Sequence, residues 1–180
     1  MVLFTRDLYL EDLEKSDLRA AGEYLRMRAE KLNTDEALAR AMGESFWLLV
    51  CKDRLELTDE EIAVCVDNLT YLCRIAEREK KGALLPALAG HLTERWPWFF
   101  ADCKVDTADM SATFREADRR AAKLFAKALL TDPRNPLAQA LSYPRNPDGK
   151  RNLPKYVKQA LLDSLSGESA IEYYLKNEIC

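Results

Sequence analysis

Apolar residues recur along this chain at spacings of three and four, and stretches that alternate apolar with polar at every second position are scarce. A helix returns to one face every ~3.6 residues and a strand every ~2, so the pattern predicts an all-α protein. Leu18, Ala21, Leu25 and Leu32 form the stripe of a first helix, with Ser16 placed to cap it. Thr34, Asp35 and Glu36 open a second helix that runs to about Lys52 and carries Leu38, Met42, Phe46 and Leu49 on one side.

The sharpest start signal is Thr58-Asp59-Glu60-Glu61, a Thr-x-x-Glu capping box in which hydroxyl and carboxylate each satisfy a backbone N–H of the other. The helix behind it carries Ile62, Cys65, Val66, Leu69, Leu72, Cys73 and Ala76 on one stripe and Val64, Tyr71 and Ile75 on another, and Lys80-Lys81-Gly82 stops it. A helix apolar on two faces is expected at the centre of a fold, so the segment 59–81 is expected there. A shorter helix follows over Leu84 to Arg95, then a break at Pro97. A long helix is expected from about Thr107 to Leu130, burying Met110, Phe114, Ala117, Ala121, Leu124, Phe125 and Ala128. A short helix from Pro136, a turn-rich loop from Tyr143 to Asn152, and two last helices near Pro154 to Leu165 and Glu168 to Asn177 complete the chain.

The architecture expected is a bundle of about six or seven helices. No linker divides it, so residues 1–180 are expected to be a single helical domain whose part 132–180 is rich in proline turns. Pro-Arg-Asn-Pro occurs at Pro133 to Pro136 and again at Pro144 to Pro147, but the flanks differ, which makes two similar turns rather than a repeat.

Composition narrows the chemistry. No stretch approaches the ~20 apolar residues of a membrane span, and Arg6 and Asp7 precede any apolar run of signal-peptide length, so no membrane partner and a cytoplasmic location are expected. The five cysteines, Cys51, Cys65, Cys73, Cys103 and Cys180, include no Cys-x-x-Cys and read as reduced thiols. A single histidine, His91, cannot build a di-iron bundle or a multi-imidazole zinc site, and no phosphate loop or dinucleotide turn is present, so neither metal nor cofactor is expected. The remaining catalytic option pairs His91 with a thiol such as Cys103, oriented by Glu94 or Asp102.

Charge divides the chain. Residues 1–110 hold 15 basic and 22 acidic side chains and residues 111–160 hold 11 and 4, within a net charge of −3. Arg115, Arg119, Lys123 and Lys127 recur every four residues on the long helix with Arg120 beside them, a basic ridge about 18 Å long over twelve residues at ~1.5 Å each. Arg145, Lys150 and Arg151 extend the basic segment. Trp96, Trp98 and Phe99 crowd around Pro97, either as a plug at an interhelix corner or as an anchor for a ligand, a partner or a stacked base.

The ridge is expected to present a charged helix face to an acidic protein partner or to a second copy, which makes the chain a non-enzymatic interaction module or a small subunit of an assembly. A nucleic-acid backbone gripped through its phosphates is the first alternative and a small helical enzyme using His91 or a cysteine the second. In the plain reading the ridge is a solvated face, with Glu116 offsetting Arg120 at i,i+4 and Asp118 close by.

Overall fold

In the computed structural model the chain is described over residues 30–31, 34–53, 55–103, 105–146, 150–165 and 170–179. These form α1 (Asp35–Val50), α2 (Asp59–Arg78), α3 (Leu84–Arg95), a 3-10 turn (Pro97–Phe99), α4 (Met110–Thr131), α5 (Pro136–Ser142), α6 (Lys155–Ser164) and α7 (Ala170–Ile179). The protein is an all-α bundle, and its one extended pairing among the described residues is a lone bridge between Arg145 and Arg151. Of the helix expected over Leu18 to Leu32 only residues 30–31 are described, and they are helical; Pro147 of the second proline turn lies outside the described residues.

Local chemistry places most helix starts. Thr34 accepts from the Ala37 amide at 3.2 Å to begin α1, and Asn135 accepts from that of Ala138 at 3.0 Å to begin α5 behind Pro136. The box at α2 is complete, with Thr58 N donating to Glu61 at 2.8 Å and Glu61 N to Thr58 Oγ1 at 3.3 Å. The long helix starts three residues later than Thr107, where Asp109 accepts from the Ala112 amide at 3.1 Å.

The centre of the packing is α3, a correction to the expectation that 59–81 would hold it. Ten of the twelve α3 residues are buried, and the helix touches α1, α2, α4 and α5. By contrast α2 buries one face, and on its second stripe Tyr71 is exposed while Val64 and Ile75 are half-buried. The second stripe misled because β-branched and aromatic residues on a helix flank count as apolar whether or not a neighbour covers them. At Gly90 a Cβ would stand 2.6 Å from the Phe125 ring and 3.2 Å from the Ala121 carbonyl, so α3 and α4 can cross this closely only with glycine there.

Met110 and Phe114 were expected on the buried face of α4, and each is 38% exposed. They sit in the first turns, which extend past the C-terminal end of α3, while Ala117, Ala121, Leu124 and Ala128 further along are buried.

Candidate functional site

The basic ridge divides on the structure. Arg120 turns inward, only 16% exposed, donating from Nε to Glu77 at 2.6 Å and from its two terminal nitrogens to Asp102 at 2.8 and 3.2 Å. Arg74 joins Asp102 from the other side at 3.2 Å. Burial opposes both charges here, yet the hydrogen bonds more than offset it: Asp102 and Glu77 hold the Arg120 guanidinium firmly cationic, and Arg120 and then Arg74 hold the Asp102 carboxyl below the usual carboxylate range. Lys127 also turns in, donating to the Ala76 and Glu77 carbonyls at 2.6 and 2.8 Å, so it covers the orphan carbonyls that end α2.

Arg115, Arg119 and Lys123 remain on the solvent side. Arg115 lies 3.5 Å from Asp109 and Arg119 3.0 Å from Glu116, with these arginines 61% and 69% exposed. Glu116 thus pairs with Arg119 rather than with Arg120, whose two carboxylates lie 18 and 43 residues away in the chain. Lys123 is exposed and pairs with no carboxylate among the described residues.

Of the later basic residues, Arg145 and Arg151 converge on Glu94, at 2.9 and 2.5 Å. Arg151 is 5% exposed, donates to the Tyr143 carbonyl, and lies over the Phe125 ring at 5.3 Å. Burial pushes the Glu94 carboxyl up and the Arg151 guanidinium down, and their mutual attraction restores only part. Lys150 is exposed on the arm of the bridge, where its carbonyl accepts from the Asn146 amide at 2.6 Å.

The aromatic segment divides as well. Phe99 stacks on Trp96 at 5.5 Å and 8°, and both pack against the fully buried Phe46, at 6.0 and 5.9 Å. Trp96 also donates from Nε1 to the Tyr174 hydroxyl at 2.9 Å. Trp98 faces outward, 42% exposed, edge-on to Phe114 at 6.3 Å. With Glu94, Arg95, Asp118 and Arg145 these rings border a cleft of about 600 Å3 between the C-terminal end of α3 and the first turns of α4. A larger cleft of about 910 Å3 runs along the other flank of α4, past Arg120, Lys123 and Cys103.

The residues of the catalytic option are each engaged elsewhere. His91 is 1% exposed, and its Nε2 is 3.2 Å from the Tyr174 hydroxyl. Burial drives it toward the neutral form, helped by the positive charges of Arg145, Arg151 and Arg95. Cys103 contacts Arg120 at 3.4 Å, and burial raises its thiol pKa despite that cation. Cys65 and Cys73 are pushed up to about 12 by burial. These thiols are held protonated, the opposite of what a nucleophile needs. Among the described residues no group of histidine, cysteine and carboxylate side chains could hold a metal ion, and no helix is long and apolar enough to cross a membrane.

Sequence reasoning gave Glu77 and Tyr174 no role and met Asp102 only as an orienter for histidine. Their signal was weak: a carboxylate on a helix flank and a tyrosine near the end of the chain resemble many others until the fold brings their partners to them. Comparison with protein-family models, curated proteins and solved structures finds no match.

Proposed function

We propose that this protein is a non-enzymatic helical interaction module that docks an acidic, amphipathic protein segment along the outer face of α4, with Trp98 and Phe114 as its anchor. The observation that carries this reading is that Arg115, Arg119 and Lys123 are exposed on α4, whose first turns also carry the exposed Phe114 with Trp98 edge-on to it. The other inward cations of the segment, Arg120, Lys127, Arg145 and Arg151, are committed to internal bonds. Exposed pairs such as Arg115–Asp109 and Arg119–Glu116 hold only about 0–1 kcal/mol each, so an incoming carboxylate can displace their partners at small cost.

An acidic helix matches this row because its own carboxylates recur at the same i,i+4 spacing, while its apolar side chains can meet Trp98 and Phe114. A protein segment is favoured over a nucleic-acid backbone because Asp109, Glu116 and Asp118 lie among the cations and the whole chain carries −3. A continuous polyanion would be repelled by those groups, whereas a peptide can place its charges between them.

The test is a titration followed by anisotropy at low ionic strength. It uses a labelled amphipathic helical peptide with glutamates at i,i+4, its glutamine counterpart, and a labelled single-stranded oligonucleotide. The glutamate peptide is expected to bind more tightly than both, and to lose at least about tenfold with Arg115→Glu/Arg119→Glu/Lys123→Glu and again with Trp98→Ala. Equal binding of the glutamine peptide, or no effect of charge reversal, overturns the reading. Tighter binding of the oligonucleotide replaces it with the phosphate-gripping alternative.

A further inference from the structure

The Tyr174 hydroxyl sits where three elements meet. It accepts the Trp96 indole N–H at 2.9 Å and faces His91 Nε2 at 3.2 Å, while its ring packs on Phe46 of α1 at 4.9 Å. The rest of α7 is held by polar ties such as Glu178 on Arg95 at 3.3 Å, by the buried Leu175 and Ile179, and by Ile171 packed against Gly43, where an added Cβ would stand 2.9 Å away. Tyr174 thus fastens α7 over the inner side of the aromatic corner.

We propose that this contact is an acid-sensitive latch: protonation of His91 releases Tyr174, frees α7, and uncovers Phe46 and Trp96 beside Trp98 and Phe114. The reason lies in the count of donors and acceptors. A neutral imidazole offers one donor and one acceptor, so it bonds Tyr174 in either tautomer, and the indole N–H can share the same oxygen. An imidazolium offers two donors. Its Nε2–H can only donate to the tyrosine oxygen, so Nε2 is no longer available as an acceptor for the Tyr174 proton. Its Nδ1–H would be buried where Nδ1 has no partner.

The charged surroundings act in the same direction. Arg95 on α3, and Arg145 and Arg151 on the bridged segment, place their positive charge on the ring. Glu94 and Glu178 are bound to those arginines, and Asp118 of α4 acts on Glu94. The buried carboxylates of the packed helices are Glu44 on α1, Glu61 on α2 and Glu172 on α7, and Tyr174 itself is held protonated, pushed up to about 12 by burial. For a base whose folded pKa is lowered, the folded form binds fewer protons than the unfolded chain. The latch is therefore at full strength above the unperturbed histidine value of ~6.5 and weakens as pH falls below it.

The consequence for docking rests on the proposed function, since opening would lengthen the aromatic surface into a row from Phe46 to Phe114. The latch itself is tested without any partner, so the two can fail separately. Amide exchange of the full chain is compared at pH 7 and pH 5, corrected for intrinsic rates, with segment 170–179 read against α2. Exchange in 170–179 is expected to rise at least tenfold at pH 5 while α2 stays protected. His91→Gln should abolish that rise, and Tyr174→Phe should give fast, pH-independent exchange already at pH 7. Unchanged protection of 170–179, parallel loss in α2, or an unaltered acid response in His91→Gln each overturns the latch; if His91→Gln does not fold, a slow, acid-responsive Tyr174→Phe does the same.

Discussion

Arg120 illustrates how much one side chain can organise. Its planar fork reaches two carboxylates at once, Glu77 from α2 and Asp102 from the loop after the 3-10 turn, and so ties both to α4. Because the guanidinium is mostly covered while its partners are partly exposed, the bonds are worth less than fully buried ones and more than surface pairs. Arg120→Leu is expected to cost about 1–2 kcal/mol in urea unfolding at pH 7, with Arg120→Lys recovering only part, since an ammonium cannot span both acids. The pH dependence has a definite sign. Asp102 is held below its ordinary value, so its share is present above the unfolded carboxylate pKa of ~3.9 and is lost as pH falls through the lower folded one. Wild type and Arg120→Leu should therefore converge in stability near pH 2; an undiminished gap there would contradict the pairing.

At the scale of elements, two helix ends are closed by other helices. The N-terminus of α3 has no cap among its own flanking residues; Asp35, in the first turn of α1, accepts from the Leu84 and Leu85 amides at 2.7 and 2.9 Å. Gly82 is required beside it, because a Cβ there would lie 2.5 Å or less from three Asp35 atoms. Asp35→Ala is expected to cost about 1–2 kcal/mol and to speed exchange of the Leu84 and Leu85 amides, whereas Thr58→Ala, in a part-buried box, should cost about 1 kcal/mol and affect only the start of α2. Equal losses confined to α1 would show that Asp35 caps nothing in α3. The contrast also explains what could be read in advance. Thr58 and Glu61 are three residues apart, and so are Asn135 and Ala138; such caps are local and legible, as are the stripe of α1 and the bounds of α3. Asp35 meets Leu84 across 49 residues, and there the linear pattern carries no signal beyond an acid in a first turn. The same limit hid the fate of the ridge: i,i+4 spacing predicts which cations share a face, but not that Arg120 and Lys127 on its flank meet α2.

Across the described residues the basic 111–160 part bonds back to the part before residue 110: Arg120, Arg145 and Arg151 pair with carboxylates there and Lys127 with backbone carbonyls, while Arg151 adds a bond to Tyr143. The two ionic seams differ in what they contribute. At Arg120 the shifts favour the charged forms of both partners, so the seam stabilises. At Glu94 they favour the neutral forms of both Glu94 and Arg151, so burial there costs about as much as attraction returns, and the seam chiefly specifies where the bridged segment lies. A carboxylate with a raised folded pKa adds least to stability above that pKa, which includes neutral pH. Replacing the whole seam, Glu94→Gln with Arg145→Met and Arg151→Met, is therefore expected to lower global stability at pH 7 by less than about 1 kcal/mol, below the loss in Arg120→Leu, whereas Glu94→Gln alone strands two covered guanidiniums and is expected to cost about 3–5 kcal/mol. Calorimetry on these variants decides it: a loss of about 3 kcal/mol or more in the triple replacement would make both seams net stabilisers and remove the distinction between them.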